Sequence, residues 1–181
     1  MKIRPRFPDM AQDVREFAEF MHVLRMIDLH SFLEIGVFQG GVMARVKDAF
    51  GHAVVAGIDP NPQIGEQWHI PTWGPLRMVY GASQGEEERR RALAWNYSEP
   101  YDVIFIDGDH TYDNAKSDWQ WAQGHATRLV AIHDIKNANN ESIDVRRLWA
   151  EIVNSGYYFC QEISQHEDEY GIGLVWKRLH G

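Results

Sequence analysis

The chain has 181 residues, of which 44% are hydrophobic and 24% charged, a balance typical of one soluble globular domain. Its formal net charge of -8 argues against general affinity for nucleic acid or for an anionic membrane surface. No apolar run approaches the roughly 20 residues that span a bilayer, and no apolar segment follows the basic N-terminus as in a signal peptide. In chain order, the first predicted element is an amphipathic helix over residues 9–27, with Asp9 as its N-cap.

Short, continuous apolar runs alternate with helical patterns after this first helix. The predicted strands cover residues 31–37, 52–59, 76–83, 101–107, 128–135, 157–164 and 170–179. The predicted helices cover residues 42–50, 85–96, 113–123 and 141–156, with Gly124 and Gly156 as the stops of the last two. Residues 63–76, rich in Pro, Gly and Trp, are predicted to form a loop.

Continuous apolar strands separated by helices predict a parallel sheet that is covered on both faces. A short polar connection joins the last two strands, so we expect them to pair antiparallel. The predicted fold class is an α/β three-layer Rossmann-like sandwich of about seven strands, mostly parallel, with an antiparallel C-terminal strand. We expect residues 1–181 to form one domain, with an N-terminal helical segment over 1–30 and the Rossmann-like core over 31–181.

Glycines and acids stand where successive predicted strands end, and ligands of such sheets bind beyond these carboxyl ends. These residues are Gly36, Asp59, Gly81, Asp107 and Asp134. Glycines in the turn Gly36-Val-Phe-Gln-Gly40-Gly41 let the backbone bend sharply and approach a ligand. Phe38 stands where a dinucleotide-binding turn has its second glycine, which weakens an NAD interpretation. Asp59 can accept both hydroxyls of a ribose, so the combination favours a nucleoside site, although a plain turn and a loop cap would explain each residue singly.

The residues Glu34-Ile-Gly36, Gly40, Asp59 and the string IDGDHTYD at 106–113 resemble class I S-adenosylmethionine-dependent methyltransferases. The resemblance covers residues 31–135 and is strongest to small-molecule O-methyltransferases, the group of macrolide, aminocoumarin and rhamnosyl O-methyltransferases and a cephalosporin-biosynthesis protein. It implies a pocket for the amino-acid part of the cofactor at Glu34, Gly36 and Gly40, with Asp107 also at the cofactor. It further implies that Asp59 holds the ribose and that Gly81 and Ser83 lie near the adenine.

Three functional interpretations stay open for Asp107, Asp109 and His110. The first is a divalent-metal site, because cations such as Mg²⁺ prefer carboxylate oxygens. Asp107 and Asp134 end neighbouring predicted strands, which lie only about 4.8 Å apart. The resemblance implies an ion at these two strand ends, and its third ligand would be His133, Asn137 or Asp109. Histidine suits a transition metal better than Mg²⁺.

The second interpretation is general base catalysis, in which His110 or His133 takes the proton of an acceptor hydroxyl. The third is a different enzyme, because IFIDGDHT fits the pattern of haloacid-dehalogenase-like phosphatases, with Asp107 as nucleophile and Asp109 as acid/base. The downstream lysine and paired aspartates of that pattern are not in place, so this interpretation ranks last. A purely structural role is also predicted: Asp113, or else Asp109, caps the following helix.

The leading hypothesis is methyl transfer from S-adenosylmethionine to a hydroxyl of a small-molecule acceptor. Asp107, His110 and Asp134 would act on the acceptor side, assisted by Mg²⁺ or another divalent cation at Asp107, Asp134 and His133. The competing hypothesis is a cofactor-binding protein of the same fold without transferase activity. No nucleic-acid or membrane partner is expected. Either the loop over 60–76 and the N-terminal helix form the acceptor pocket, or a partner subunit contributes to it, so a homo-oligomer stays open. Cys160 is the only cysteine, which excludes an internal disulfide and leads us to expect a cytoplasmic protein.

Overall fold

The fold is taken from a computed structural model that describes residues 10, 12–64, 77–136, 144–165 and 170–177. The helices are α1 (Val14–Met26), α2 (Gly41–Ala49), α3 (Glu86–Trp95), α4 (Tyr112–His125) and α5 (Val145–Asn154). The strands are β1 (Ser31–Ile35), β2 (Val54–Asp59), β3 (Arg77–Tyr80), β4 (Tyr101–Ile106), β5 (Ala126–His133), β6 (Phe159–Ile163) and β7 (Ile172–Trp176). Every predicted helix and strand is therefore present, with boundaries shifted by a few residues. None of the described helices combines the length and apolar character that a bilayer crossing requires.

The seven strands form one sheet in the order β3-β2-β1-β4-β5-β7-β6. The first five strands pair in parallel, whereas β7 lies antiparallel between β5 and β6. This confirms the predicted α/β sandwich and the antiparallel pairing of the last two strands. It adds that the final strand lies inside the sheet rather than at its edge.

Helices cover both faces of the sheet, as continuous apolar strands predict. On one face, α1 and α2 enclose a core that includes Phe20, Leu24 and Phe105. On the other face, α3, α4 and α5 enclose a second core that includes Trp119 and Trp149. Because both faces are buried, the sheet can expose ligand-binding residues only at its strand ends.

The strand register brings the predicted site residues to one edge. Ile35 of β1 pairs with Ile106 of β4, and Ile106 pairs with Ile132 of β5. The residues that follow these three positions therefore lie side by side at the carboxyl edge of the sheet. Here Gly36, Asp107 and the pair His133-Asp134 meet, in agreement with the predicted neighbouring strand ends.

The first helix begins later than predicted. Its N-cap is Asp13, whose carboxylate accepts hydrogen bonds from the backbone N–H groups of Arg15 and Glu16. The prediction of Asp9 as N-cap is therefore wrong, because Asp13 offers the same cap nearer to the apolar stripe. Val14 and Met26 belong to the predicted stripe but are mostly exposed, since the buried face of α1 is narrower than its apolar content suggests.

Helix α4, which follows His110 in the chain, also differs from its prediction. The N-cap of α4 is Thr111, and Asp113 lies exposed in the first turn. The expectation that Asp113 caps this helix is wrong. Gly124 does not stop α4 either, because the helix continues to His125 and passes directly into β5. Gly156, by contrast, follows α5 with a φ of 67°, the left-handed conformation typical of a helix stop.

Several predicted residues lie outside the described ranges. They are Asp9, most of the loop over 63–76 and the metal-ligand candidate Asn137.

Candidate active site

The glycine turn after β1 packs directly against the end of β4. Gly36 has a φ of 85°, and a Cβ atom at this position would lie 2.2 Å from the carbonyl oxygen of Asp107. Only glycine fits here, because both the backbone conformation and the space exclude a side chain. Gly40, with a φ of 74°, is the N-cap of α2. The turn therefore brings the start of α2 next to Asp107.

Asp59 ends β2 and holds this glycine turn in place. Its Oδ2 atom accepts hydrogen bonds from the backbone N–H groups of Val37 at 2.8 Å and Phe38 at 2.9 Å. Its Oδ1 atom accepts a third from Asn61 N–H at 2.7 Å. A carboxylate has about four acceptor sites, so little capacity remains for the predicted contact with a ribose. The loop-capping role is thus visible in the structure, and the ribose role stays a prediction.

Glu34 is a buried acid beneath the glycine turn. Its Oε2 atom accepts a hydrogen bond from Met43 N–H at 3.1 Å, which ties β1 to α2. Burial, together with the negative charge of Asp107, raises the pKa of Glu34 well above its ordinary value. A cation arriving beside it would favour its ionised form, since an opposite charge lowers a carboxyl pKa.

A cavity of about 250 Å³ opens above these residues. It is lined by Met10, Gln12, Glu34, Gly36, Val37, Phe38, Gln39, Gly41, Val42, Asp107 and His110. The glycine turn therefore shares one cavity with Glu34, Asp107 and His110. Gly81, Ser83 and Asp59 are not among its lining residues.

Asp107, His110, His133 and Asp134 form an acidic cluster in which carboxylates and imidazoles alternate. His110 lies between two acids, with Nδ1 2.8 Å from Oδ2 of Asp134 and Nε2 3.6 Å from Oδ1 of Asp107. His133 lies on the other side, with Nδ1 2.9 Å from Oδ1 of Asp107 and 3.5 Å from Oδ1 of Asp134. Asp107 and Asp134, the ends of adjacent strands, thus share two histidines. The structure thus brings together four of the residues that the sequence singled out for this site, Asp107, His110, His133 and Asp134.

These contacts change the protonation of the cluster. Burial raises the pKa of Asp107, but the charges of His133 and His110 outweigh this effect and lower the pKa to about 2. Burial lowers the pKa of His110, but its contacts with Asp107 and Asp134 prevail and raise the pKa to about 10. Burial lowers the pKa of His133, but the charge and hydrogen bond of Asp107 together with the charge of Asp134 outweigh this effect and raise the pKa. At neutral pH His110 is therefore protonated and Asp107 is ionised.

The donor set of this cluster fits a transition metal better than Mg²⁺, because two imidazoles accompany the two carboxylates. His133 is buried, and neither of its ring nitrogens has a hydrogen-bond partner among the described residues, although Nδ1 lies close to Asp107. An ion could therefore bind His133 only in exchange for a ring proton.

The cluster does not form a tight metal cage in this conformation. Among the described residues, only the exposed Asp28, His30 and His52 bring one ligand atom each within 4.8 Å of one another. The residues of the active-site cluster alternate as ion pairs instead, so an ion there would replace imidazole–carboxylate contacts.

Asp109 lies apart from the cluster. Its carboxylate accepts hydrogen bonds from Thr111 N–H at 2.9 Å and from the Asn114 side chain at 2.8 Å, and the residue is exposed. It stabilises the turn into α4 but is not the helix cap predicted for it as an alternative, because Thr111 is the N-cap. This arrangement gives no support to a phosphatase in which Asp109 acts beside Asp107.

Ser83, predicted to lie near an adenine, is held by a buried acid of α4. Its Oγ donates a hydrogen bond to Oδ2 of Asp118 at 2.9 Å. Gln84 Nε2 donates to the same oxygen at 3.2 Å, and Arg89 Nη2 lies 3.3 Å from Oδ1. Burial raises the pKa of Asp118. The turn after β3 is therefore fixed to α4 by one carboxylate.

Two residues of the site were not predicted from the sequence. Gln12, just before α1, donates a hydrogen bond through Nε2 to Oδ2 of Asp107, while its buried Oε1 has no partner among the described residues. No local motif marks this residue, because its partner Asp107 lies 95 positions further along the chain. Asp118 carried a signal: it shares helical spacing with the buried Ala115 and Ala122 and thus points to the core.

An α/β sandwich with an antiparallel β7 and an acidic, glycine-bounded cavity at its carboxyl edge defines the class I methyltransferase fold. The family described as a methyltransferase domain matches residues 33–135, and the chain belongs to this family. No curated protein sequence matches the chain.

Solved structures agree on the fold. An O-methyltransferase from Bacillus cereus in complex with SAH is 15% identical and has a TM-score of 0.68, with 94% of this chain and 84% of that chain covered. MycE methyltransferase from the mycinamycin biosynthetic pathway, in complex with Mg, SAH and mycinamycin VI, is 17% identical with a TM-score of 0.60. Its match covers 87% of this chain and 48% of that one.

Proposed function

We propose that this protein transfers a methyl group from S-adenosylmethionine to a hydroxyl of a small-molecule acceptor. One observation carries the proposal: Asp107 and His110, the latter held by Asp134, line the same cavity as Glu34 and the glycine turn. A cofactor in this cavity would have acids beside its cationic sulfonium and a proton-handling group beside its methyl. The family match and the SAH-bound relatives of the same fold support this assignment.

On the cofactor side, the chain offers charge and open backbone. Gly41, the first residue of α2, lines the cavity, and a helix N-terminus favours a carboxylate such as that of the cofactor's amino-acid part. Glu34 and Asp107 line the same cavity and suit the positive groups of the cofactor. A phosphate-cradling third glycine is not required, because this cofactor has no phosphate.

On the acceptor side, the reaction needs alignment and removal of one proton. The acceptor oxygen attacks the methyl carbon, the carbon–sulfur bond breaks, and the acceptor proton passes to the protein. His110 is protonated before the cofactor arrives, because two acids hold its proton. The sulfonium charge beside Asp107 would lower the pKa of His110 and release its proton to solvent, and the neutral imidazole could then take the acceptor proton.

A divalent cation would be held by Asp107, Asp134 and His133. It would supply one contribution, a lower pKa of a bound acceptor hydroxyl. The imidazole favours a transition metal such as Mn²⁺ or Co²⁺ over Mg²⁺. Mg is present in the MycE complex with SAH, which supports an ion in this fold without fixing its identity here.

The proposal is tested by calorimetric titration of the protein with S-adenosylhomocysteine. We expect binding by the wild type and at least a tenfold weaker affinity for Asp59→Ala, which removes the carboxylate that holds the glycine turn (roughly 1.4 kcal/mol). Asp102→Ala is the matched control, because Asp102 also accepts two backbone N–H groups, from His30 and Ser31, but at the opposite edge of the sheet. Absence of binding by the wild type would overturn the proposal.

A further inference from the structure

A buried carboxylate on α1 remains without a role in the proposed chemistry. Glu16 is 0% exposed. Its Oε1 atom accepts a hydrogen bond from Gln165 N–H at 2.8 Å, and its Oε2 atom accepts one from Gly171 N–H at 2.9 Å. Glutamate is almost never fully buried unless it is paired, so this acid is retained against a high desolvation penalty. Packing alone would favour an apolar side chain at this position.

On one side, Glu16 is connected to the cavity through the first turn of α1. Glu16 lies in the first turn of α1, three residues after the cap Asp13, and its backbone N–H donates to the Asp13 carboxylate. Gln12, just ahead of the cap, lines the cavity and donates its hydrogen bond to Asp107. The position of the first turn of α1 therefore determines whether Gln12 reaches Asp107.

The other end leads to the turn that carries Asp134. The carbonyl of Gly171 accepts a hydrogen bond from Ile135 N–H at 3.4 Å, and that of Tyr170 accepts one from Lys136 N–H at 2.9 Å. Asp134 itself has a φ of 61°, a conformation that L residues rarely adopt without support. The backbone that Glu16 holds through Gly171 thus also supports the Asp134 turn.

We propose that Glu16 is a positioning residue of the methyltransferase site, which fixes Gln12 against Asp107 on one side and steadies the Asp134 turn on the other. This inference rests on the proposed function. Glu16 touches neither the cavity nor the reacting groups. It acts by joining α1 to the connection between β6 and β7, so that both sides of the acidic cluster keep one relative position.

The test compares Glu16→Gln with Glu19→Gln in S-adenosylhomocysteine titrations. Glutamine keeps the shape of Glu16 but sets an NH₂ group against a backbone N–H group, so we expect affinity to fall about tenfold. Glu19 lies one turn further along α1, and among the described residues its carboxylate accepts from the Gln165 side chain, in an exposed contact at 2.6 Å. Glu19→Gln should therefore keep wild-type affinity. Equal affinity of Glu16→Gln and the wild type would overturn the inference.

A double-mutant cycle separates positioning from general stabilisation. If Glu16 acts through Gln12, the losses of S-adenosylhomocysteine affinity caused by Glu16→Gln and Gln12→Ala overlap. The double variant should then have about the same affinity as the single variant that binds less tightly. An affinity loss in the double variant equal to the product of the two single losses would contradict the inference. Should Glu16→Gln fail to fold, Glu16→Asp takes its place, because it keeps the charge and shortens the reach.

Amide hydrogen exchange tests the second side without any ligand. Glu16→Gln should speed exchange at Ile135 and Lys136, whereas the amides of Leu148 and Ile152 in α5 should keep their wild-type rates. Unchanged exchange at Ile135 and Lys136 would contradict the link. This measurement stays decisive if the wild type does not bind the cofactor product, so failure of the inference is distinguishable from failure of the proposed function.

Discussion

His110 is the positively charged residue at the centre of the acidic cluster. It lies between Asp107 and Asp134 and is held protonated by both. His133 faces the same two acids from the buried side. At the proposed metal site an ion would take the place of the His110 proton that these acids hold, so binding of a metal would release protons.

The first prediction concerns stability and pH. The pKa of His110 rises from 6.5 to about 10 on folding, so its stabilising contribution is complete below the unfolded pKa and is lost as the pH rises through the folded pKa. The gap in unfolding free energy between wild type and His110→Asn should shrink from pH 6 toward pH 10. Urea denaturation at several pH values measures this gap. His22→Asn, at an exposed histidine of α1, is the control and should show no such trend.

The second prediction concerns the metal. In a His52→Ala background, which breaks up the exposed Asp28, His30 and His52 cluster, calorimetry with Co²⁺ should show one binding site. Asp134→Asn should abolish this site, because it removes a carboxylate ligand and weakens the hold on His110. Affinity should also rise with pH, since bound protons compete with the ion. Equal Co²⁺ binding in the Asp134→Asn variant would rule out the proposed ligands.

At the residue scale, the sequence predicts the site residues at strand ends but not the residues that reach the site from other parts of the chain. Asp107 and Asp134 could be placed together because parallel strand ends share an edge. Asp113 was assigned the wrong role, since Thr111 caps the helix and helix boundaries shift by a residue or two. Gln12 could not be predicted, because its contact with Asp107 depends on how α1 packs on the sheet.

Helix α4 joins the two halves of the site. It begins directly after the acidic cluster, and its buried face carries Asp118, which binds the turn after β3. Because the side chain of Asp118 is fully buried while Arg89 is partly exposed, the ion pair between them is shielded from solvent. The helix thus fixes the distance between the predicted adenine end and the acceptor end.

The third prediction tests this connection. Asp118→Ala leaves Ser83, Gln84 and Arg89 without their common acceptor, and breaking a buried pair costs about 3 kcal/mol. Asp113→Ala on the same helix removes an exposed first-turn acid and should cost under about 1 kcal/mol. Denaturant unfolding of both variants gives the comparison. Similar losses in the two variants would show that Asp118 does not bind the turn in solution.

At the element scale, the order of helices and strands follows from the alternation of apolar runs and helical spacing. The stop at Gly124 was wrong, because α4 runs into β5 without a loop and no local signal records this. The position of β7 inside the sheet was not predicted either. Pairing between β5 and β7 joins distant parts of the chain, and short-range patterns contain no information about it.

The fourth prediction belongs to the whole molecule. A ligand that binds only the folded protein stabilises it, by about 2.7 kcal/mol at a concentration 100 times Kd. Saturating S-adenosylhomocysteine should therefore raise the melting temperature measured by calorimetry. The shift should be smaller for Asp59→Ala than for Asp102→Ala at the same ligand concentration. An equal shift in both variants would place the ligand away from the glycine turn.

The place of β7 in the sheet gives the molecule an order of assembly in time. All strands that border the cavity, β1 and β4 among them, precede β7 in the chain. Ile172 of β7 pairs with His133, and the neighbouring Gly171 supports the turn at Asp134. Because a domain generally folds as a unit, the acidic cluster can be completed only after β7 has been synthesised. A nascent chain that ends before Gly171 would carry Asp134 without the backbone partner of its turn.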